Sequence, residues 1–408
     1  VSPASVNAHL AFTGYLGRRL HMGVCGSVAA YKALDLLRRF KDTGADTGVT
    51  LTDSACQFIT PLSFEALGAS PVYTGMYPVG DDVFGHLTPG DACHAFLIAP
   101  ATAATLARLA CGLADDMLSC QALAFEGPLV IAPAMNPRMW NNPATQENWA
   151  RLKQRGHVAV EPGCGRMACM DVGQGRLADL DTIFLYTLRA MTPQDMTGQQ
   201  VMVTLGPTRE QWDGVRFWSN PSSGVMGACF AMAAWLRGAQ VHAVCGPATP
   251  WLPADITRHD VTGAAQMYQA AADLWPRMDT GIFTAAVADF SPEPFGAEKF
   301  KKSGTETLSI RFTPNTDILK TLGTAKRENQ RIVGFAAETG NLHENAVGKL
   351  RRKNADMIVG NIVGTPESGF QSATNKVFVA DKTGRTEEWP VQPKTEVAWR
   401  ILDWLLQM

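Results

Sequence analysis

The feature that most limits what this chain can become is a rhythm. Short apolar runs alternate with longer amphipathic ones, and the alternation lapses once and then restarts. Runs at 20–24, 48–51, 95–99, 129–132 and 158–160 have the length of buried strands. Stretches such as 30–41 and 143–154 between them carry a helical period. Strands separated by helices pair in parallel, because a parallel return needs a crossover long enough to hold a helix. At residues 191–198, "MTPQDMTG", the pattern gives way to proline, glycine and polar residues. Runs at 200–205, 240–245, 281–285, 331–335 and 355–360 then resume it. Residues 376–379 and 385–389, joined by "ADKTG", read as a hairpin, and a last helix begins near Lys394. The expected fold is α/β: two doubly wound, Rossmann-like domains over 18–192 and 199–408, with an extension at 1–17 and a linker at 193–198. A chain of 408 residues suits two domains.

Composition removes several function classes. A formal net charge of −2 gives no long-range attraction to nucleic acid or to anionic membranes. No apolar run approaches the roughly 18 residues of a membrane helix, and the first seventeen residues lack the basic start of a signal peptide. Nine cysteines, odd in number and unevenly spaced, do not form a disulfide framework. A cytoplasmic location is therefore expected. Cys164 and Cys169 stand five apart in "GCGRMACMDVGQGR", not three apart as in a zinc knuckle. That stretch, 163–176, is too rich in glycine for a helix interior and too polar for a buried strand, so it reads as a loop.

In the first half, "GVCGSVAAYK" is a strand, a tight turn and a helix, with Gly26, Ser27 and Val28 where a phosphate could meet backbone N–H groups. Thr52 and Phe58 follow a second strand, Thr102 and Thr105 a third, and Ser119 lies in "ADDMLS". Each hydroxyl alone suits a helix cap. Gathered at strand ends, they suit the polar edge of a planar cofactor.

"GSVAAYK", "APATAAT", "PAMNPRMW" and the cysteine loop resemble the homo-oligomeric, FMN-containing cysteine decarboxylases. The resemblance implies a flavodoxin-like FMN domain and three functional residues. His86 of "FGHL" matches the catalytic histidine, Asn136 of "PAMN" the asparagine that fixes the substrate carboxylate, and Cys169 the cysteine of a substrate clamp. A cysteine carboxylate has no electron sink of its own; oxidising the thiol to a thioaldehyde supplies one, and a base, an amide and a proton donor serve that sequence. Otherwise His86 is an ordinary loop histidine and Asn136 organises the turn before Pro137. Ala104 stands where the family often has asparagine, and Met170 where glycine often follows the cysteine.

In the second half, a strand passes through a polar loop to a long helix headed by Ser222, Ser223 and Gly224, a cap and an anion site. The loop lacks the P-loop pattern. Lys299, Lys301 and Lys302 follow a Pro/Gly-rich loop, and Lys349 and Lys353 share one helix face. Each group alone is a solvated surface; together they suit polyphosphate. These motifs resemble phosphopantothenate–cysteine ligases, which in bacteria follow the decarboxylase in one chain. The resemblance implies that Arg216 and Asn220 act on an activated acyl intermediate, with Lys299 in support. Ala286, Asp289, Phe335, Lys349 and Lys353 match nucleotide-site positions, and Asp289 is a candidate metal contact or, alternatively, a ribose contact. It implies FMN, Mg²⁺ and CTP as co-substrate, with 4′-phosphopantothenate and cysteine as substrates. A dodecamer of decarboxylase trimers and ligase dimers is expected. Val225 stands where the family usually has lysine. The rival readings are a non-catalytic regulatory flavoprotein and a flavin enzyme acting on peptidyl cysteine.

Overall fold

The structure is a computed structural model, and it describes residues 8–76, 83–166, 170–301, 307–338, 342–362 and 372–408. Thr13–Pro193 form one compact unit; residues 8–12 join Gln194–Met408 in the other.

The first unit is built on six parallel strands: β1 (Arg19–Val24), β2 (Asp46–Leu51), β3 (Val72–Tyr73), β4 (Ala95–Ala101), β5 (Leu129–Pro133) and β6 (Val158–Ala159). Their order across the sheet is β3-β2-β1-β4-β5-β6, so the winding reverses between β1 and β4. All residues of β4 and β5 are buried, because helices cover both faces of a parallel sheet and leave no face for polar alternation. Helix α1 (Lys32–Asp42) shows the matching stripe, burying Ala33, Leu36, Leu37 and Phe40 at helical spacing. Helices α2 (Ala103–Cys111) and α3 (Met117–Ala124) follow β4. After β5 come α4 (Pro137–Trp140) and α5 (Pro143–Gln154), and α6 (Leu180–Met191) closes the unit. Phe96, Ile98, Leu106, Leu118, Ile131, Trp140 and Trp149 fill the core on one side.

The segment expected to be a loop at 163–176 is instead an antiparallel hairpin, β7 (Gly163–Arg166) with β8 (Val172–Arg176). The expectation rested on the absence of an apolar face. A two-stranded ribbon lying on the surface needs none, and its glycines let it sit close: a Cβ on Gly173 would lie 3.0 Å from Pro137 Cβ.

The second unit carries eight strands: β9 (Gln200–Leu205), β10 (Gln240–Cys245), β11 (Thr257–Asp260), β12 (Thr280–Phe283), β13 (Arg331–Glu338), β14 (Met357–Ile362), β15 (Thr374–Asp381) and β16 (Thr386–Pro393). The order is β11-β10-β9-β12-β13-β14-β15-β16; the first six are parallel and the last two form the expected hairpin. Here too the winding reverses once, between β9 and β12. Helix α7 (Val225–Leu236) buries every residue but Met226, as a helix apolar on all sides must. It packs against β9, against α11 (Lys394–Leu406) and against residues 8–10. That contact explains why residues 8–12 go with this unit: Thr395 Oγ1 donates to Ala11 O at 2.6 Å, His9 Nε2 to Trp251 O at 2.9 Å, and Phe12 meets Trp399 edge to face. Helices α8 (Ala264–Leu274), α9 (Ile318–Thr324) and α10 (Leu342–Arg352) complete the layers. Among the described residues no helix is long and apolar enough to cross a membrane.

Candidate active sites at two strand crossings

In open parallel sheets, ligands collect beyond the strand carboxyl ends where the winding reverses. At the β1/β4 reversal, Gly26, Ser27 and Val28 follow β1, Thr52 and Phe58 follow β2, and Thr102 and Thr105 follow β4. A Cβ on Gly26 would lie 2.4 Å from Ser54 Cβ, so only glycine lets these two turns touch. Ser27 Oγ accepts the Ala29 N–H, Thr52 Oγ1 the Ala55 N–H and Thr102 Oγ1 the Thr105 N–H. Thr105 Oγ1 meets Cys25 Sγ at 3.1 Å, and burial pushes that thiol up to about 11, so it stays a thiol. Ser119 is buried and bonded to the Asp116 carboxylate in the capping box of α3. Val28 and Phe58 remain exposed beside the hydroxyls. Capped helix starts, hydroxyls and exposed apolar side chains together fit a flavin mononucleotide: polar edge and phosphate on the first, ring on the second.

His86 sits in the turn before the Thr88–Ala92 helix, and its segment is tied to the core by residues the sequence reading did not single out. Gln121 Nε2 donates to Gly85 O at 2.8 Å, Thr50 Oγ1 donates to Gln121 Oε1 at 2.6 Å, and His21 Nε2 meets Thr50 Oγ1 at 2.7 Å. Burial pulls His21 down to about 3, so this network stays neutral and rigid. No periodic pattern marks such a network, because its members come from separate strands and a helix.

Asn136 does two jobs at once. Its Oδ1 caps α4 by accepting the Arg138 N–H at 2.9 Å, which leaves Nδ2 as the outward donor; that group donates to Asp171 Oδ2 at 2.7 Å. Cys169 lies outside the described residues. Met170, next to it, has φ +67°, the left-handed region that favours glycine.

At the β9/β12 reversal lies an open cleft of about 510 Å³. Asn220, Ser222, Ser223 and Gly224 line it from the loop after β9, Ala286 and Asp289 from the loop after β12, and Phe335, Lys349 and Lys353 from β13 and α10. Helix α7 starts on Gly224 at φ +71° with no side-chain cap, so its first N–H groups face the cleft. A Cβ on Gly227 would lie 2.4 Å from both Leu205 Cβ and Thr284 Oγ1, which is what sets this helix start against the strand ends. Asn220 Nδ2 donates to Val287 O at 3.1 Å, fixing its amide. Lys349 Nζ donates to Phe335 O, and Lys353 pairs with Asp317. Asp317 is exposed; its partial desolvation would raise it, but Lys353, the Lys320 N–H and Lys349 hold it below the usual carboxylate range.

Among the lining residues that the sequence did not assign to the site are Asn361, Asn375 and Lys394. Lys394, the first residue of α11, is buried, and desolvation pulls its ammonium down to about 8. Its only sequence signal is a proline immediately before a helix start.

Arg216 and Lys299 do not line this cleft. Arg216 Nη1 bonds the buried Asp213 at 2.8 Å and borders a second cavity with Trp212, Trp218 and Phe300. Asp213 is buried, yet the Val215, Arg216 and Phe300 N–H groups and the Arg216 guanidinium hold its carboxyl low. Through Asp213, the loop bearing Arg216 is fastened to the loop bearing Lys299. Lys302 lies outside the described residues. Among the described residues, no three His, Cys, Asp or Glu side chains are grouped to hold a metal.

Residues 13–192 match the family model described as "Flavoprotein", and residues 196–408 the "DNA/pantothenate metabolism flavoprotein C-terminal domain". The Coenzyme A biosynthesis bifunctional protein CoaBC of Bacillus subtilis is 40% identical over 94% of this chain and 96% of its own length. Its counterpart of Escherichia coli is 38% identical over 95% and 96%. The chain belongs to this bifunctional family. A crystal structure of the C-terminal domain of a CoaBC protein is similar over 53% of this chain and 97% of its own, at 38% identity and a TM-score of 0.45.

The two strand crossings fall in separate matches. One lies within the flavoprotein match; the other lies within the second match and presents an uncapped helix start with two lysines.

Proposed function

We propose that this chain ligates cysteine to 4′-phosphopantothenate with CTP, through an acyl-cytidylate, and then decarboxylates 4′-phosphopantothenoylcysteine to 4′-phosphopantetheine. The observation that carries the reading is the polarity of Asn136: its oxygen is taken by the helix it caps, so its NH₂ faces acceptors, and the one it meets is a carboxylate oxygen, Asp171 Oδ2.

In the ligase half, the first N–H groups of α7 and the ammonium groups of Lys349 and Lys353 hold the triphosphate. Asp289 would be the protein's carboxylate for a Mg²⁺ ion, which would neutralise charge on the triphosphate. Asn220 orients the acyl group. Arg216 and Lys299 lie off the cleft of their own chain, which a ligase dimer would account for if each chain served its partner's cleft. In the flavoprotein half, Asn136 holds the substrate carboxylate, His86 takes the thiol proton and Cys169 returns one to the enethiol left by CO₂ loss as that enethiol is reduced to the saturated thiol. Gly26, Ser27, Val28, Thr52, Phe58, Thr102, Thr105 and Ser119 would hold FMN, which would supply a two-electron acceptor and donor. Trimeric flavoprotein units joined through dimeric ligase units in a dodecamer, working in the cytoplasm, complete the proposal.

One incubation tests it: purified protein, phosphopantothenate, cysteine and Mg²⁺, with CTP or ATP. Pyrophosphate and CO₂ are expected in equal amounts with CTP. Asn136→Ala should abolish CO₂ release and leave pyrophosphate release intact. Pyrophosphate without CO₂ from the unaltered protein would remove the decarboxylase assignment; neither product would remove both.

A further inference from the structure

The acceptor on the Asn136 amide is one of the protein's own carboxylates. Asp171 Oδ2 takes the Nδ2 hydrogen at 2.7 Å, and Asp171 Oδ1 lies 3.5 Å from Arg138 Nη2. The neighbouring backbone makes this pair a built feature. Asp171 immediately precedes β8, and β8 is pinned on both sides of Asn136: the Met135 N–H donates to Gly175 O at 2.9 Å, and Gly173 rests against Pro137. The Asn136 amide cannot turn to avoid the carboxylate, because its oxygen is held by the Arg138 N–H.

We propose that Asp171 is an internal stand-in for the substrate carboxylate and sets how strongly the site selects for acids. This inference rests on the reading of Asn136 as the carboxylate site. The NH₂ group has a second hydrogen, but a ligand carboxylate taking it would lie close against the Asp171 carboxylate and be repelled, so a ligand acid binds at the expense of the Asn136–Asp171 pair. Arg138, exposed and already near the other oxygen, gives the displaced carboxylate a partner. A ligand without a carboxylate leaves the Asn136–Asp171 bond in place and gains nothing there. The device thus lowers affinity for the carboxylate that enters while leaving the decarboxylated product no foothold on the amide.

The test uses the full-length, FMN-loaded protein and two probes that lack the oxidisable thiol: 4′-phosphopantothenoylserine, which has the carboxylate, and 4′-phosphopantothenoylethanolamine, which lacks it. Affinity is read from the flavin absorbance change on titration. Asp171→Ala should bind the serine compound about tenfold more tightly, the scale of one charge-assisted hydrogen bond, and the ethanolamine compound unchanged. Asp171→Asn, nearly isosteric and still an acceptor, should give a smaller gain of the same sign, and decides the matter if the alanine variant folds poorly. An unchanged or weakened preference for the acid in Asp171→Asn would overturn the proposal. Asn136→Ala separates the two readings: if it keeps full preference for the acid, the assignment of Asn136 falls. If it loses that preference while the Asp171 variants gain none, only the stand-in falls.

Discussion

The two sheets reverse their winding in the same way, yet the helix starts above the two crossings differ. Above β1/β4, Ser27, Thr102, Asp116 and Asn136 each place a side-chain oxygen on a backbone N–H of the turn they begin. Above β9/β12, α7 begins on a left-handed glycine with no side-chain cap. Each cap satisfies one of the donors at its helix start, and the hydroxyls, small residues and exposed apolar side chains beside it remain for a planar group whose phosphate meets the donors left over. An uncapped start keeps its N–H groups for an anion that arrives and departs. The architecture supplies the location, and the capping residue chooses between a resident cofactor and a consumed co-substrate.

The contrast breaks most severely at Gly227. A Val side chain there would meet Leu205 and Thr284 with nowhere to go, forcing α7 off the strand ends. Gly227→Val should cost on the order of 3 kcal/mol of stability in the second unit, by overpacking, and abolish pyrophosphate release. The flavin absorbance of the other unit should persist. If ligation survives, the placement of the uncapped helix start does not matter.

Lys394 sharpens the anion side of the comparison. Its folded-state pKa of about 8 lies below the 10.5 of the unfolded chain, so the native state disfavours the charge. The cost, about 3 to 4 kcal/mol, is fully present below pH 8 and is relieved as pH rises from 8 to 10.5. A bound polyphosphate would favour the ammonium and raise its pKa, so CTP binding near pH 9 should take up a proton. Calorimetry in two buffers of different ionisation heat measures that uptake. Lys394→Met should remove it, weaken CTP and raise the thermal midpoint at neutral pH, since a buried charge is gone. A lower midpoint would show that the ammonium is well compensated.

What was legible in the sequence follows from distance along the chain. The strands at 200–205 and 240–245 and the helix at 143–154 have the bounds read from periodicity, because burial on a sheet imposes a local pattern. Gly224 and Asn136 were legible because caps are local too. The His21–Thr50–Gln121–Gly85 chain was not: it joins positions 21 to 121 through side chains with no shared period. Nor was Lys394, which reaches the cleft from the last helix. Arg216 and Lys299 were grouped with the cleft by motif, but loop packing through Asp213 puts them elsewhere.

The capped side is tested more gently at Gln121. Gln121→Leu leaves Gly85 O without its donor and the buried Thr50 hydroxyl without its acceptor, a loss of about 1–2 kcal/mol. With His86 less firmly placed, kcat for decarboxylation should fall several-fold while FMN content and pyrophosphate release hold. Equal losses in both activities would mean that the network stabilises the whole chain and does not position His86.

The smallest effect compares two left-handed residues, Gly224 at the uncapped helix and Met170 beside the Asn136–Asp171 pair. Gly224 adopts φ +71° at no steric cost; Met170 adopts φ +67° with a Cβ, which costs about 1 kcal/mol. Met170 is exposed, and Arg166 Nη2 reaches its sulfur at 3.2 Å, a contact too weak to repay that strain. Comparing Met170→Gly with Met170→Ala isolates the backbone, since both delete the sulfur contact. Where φ is negative, glycine is the less stable of the two, because it loses more freedom on folding. At a left-handed position the order inverts, and Met170→Gly should unfold later than Met170→Ala by about 1 kcal/mol, read from denaturant midpoints of the flavin signal. The opposite order would place Met170 outside the left-handed region. The predicted order would make this departure from the family's glycine a strain stored next to Asp171, where a hairpin end has to give way when an acid takes the Asn136 amide.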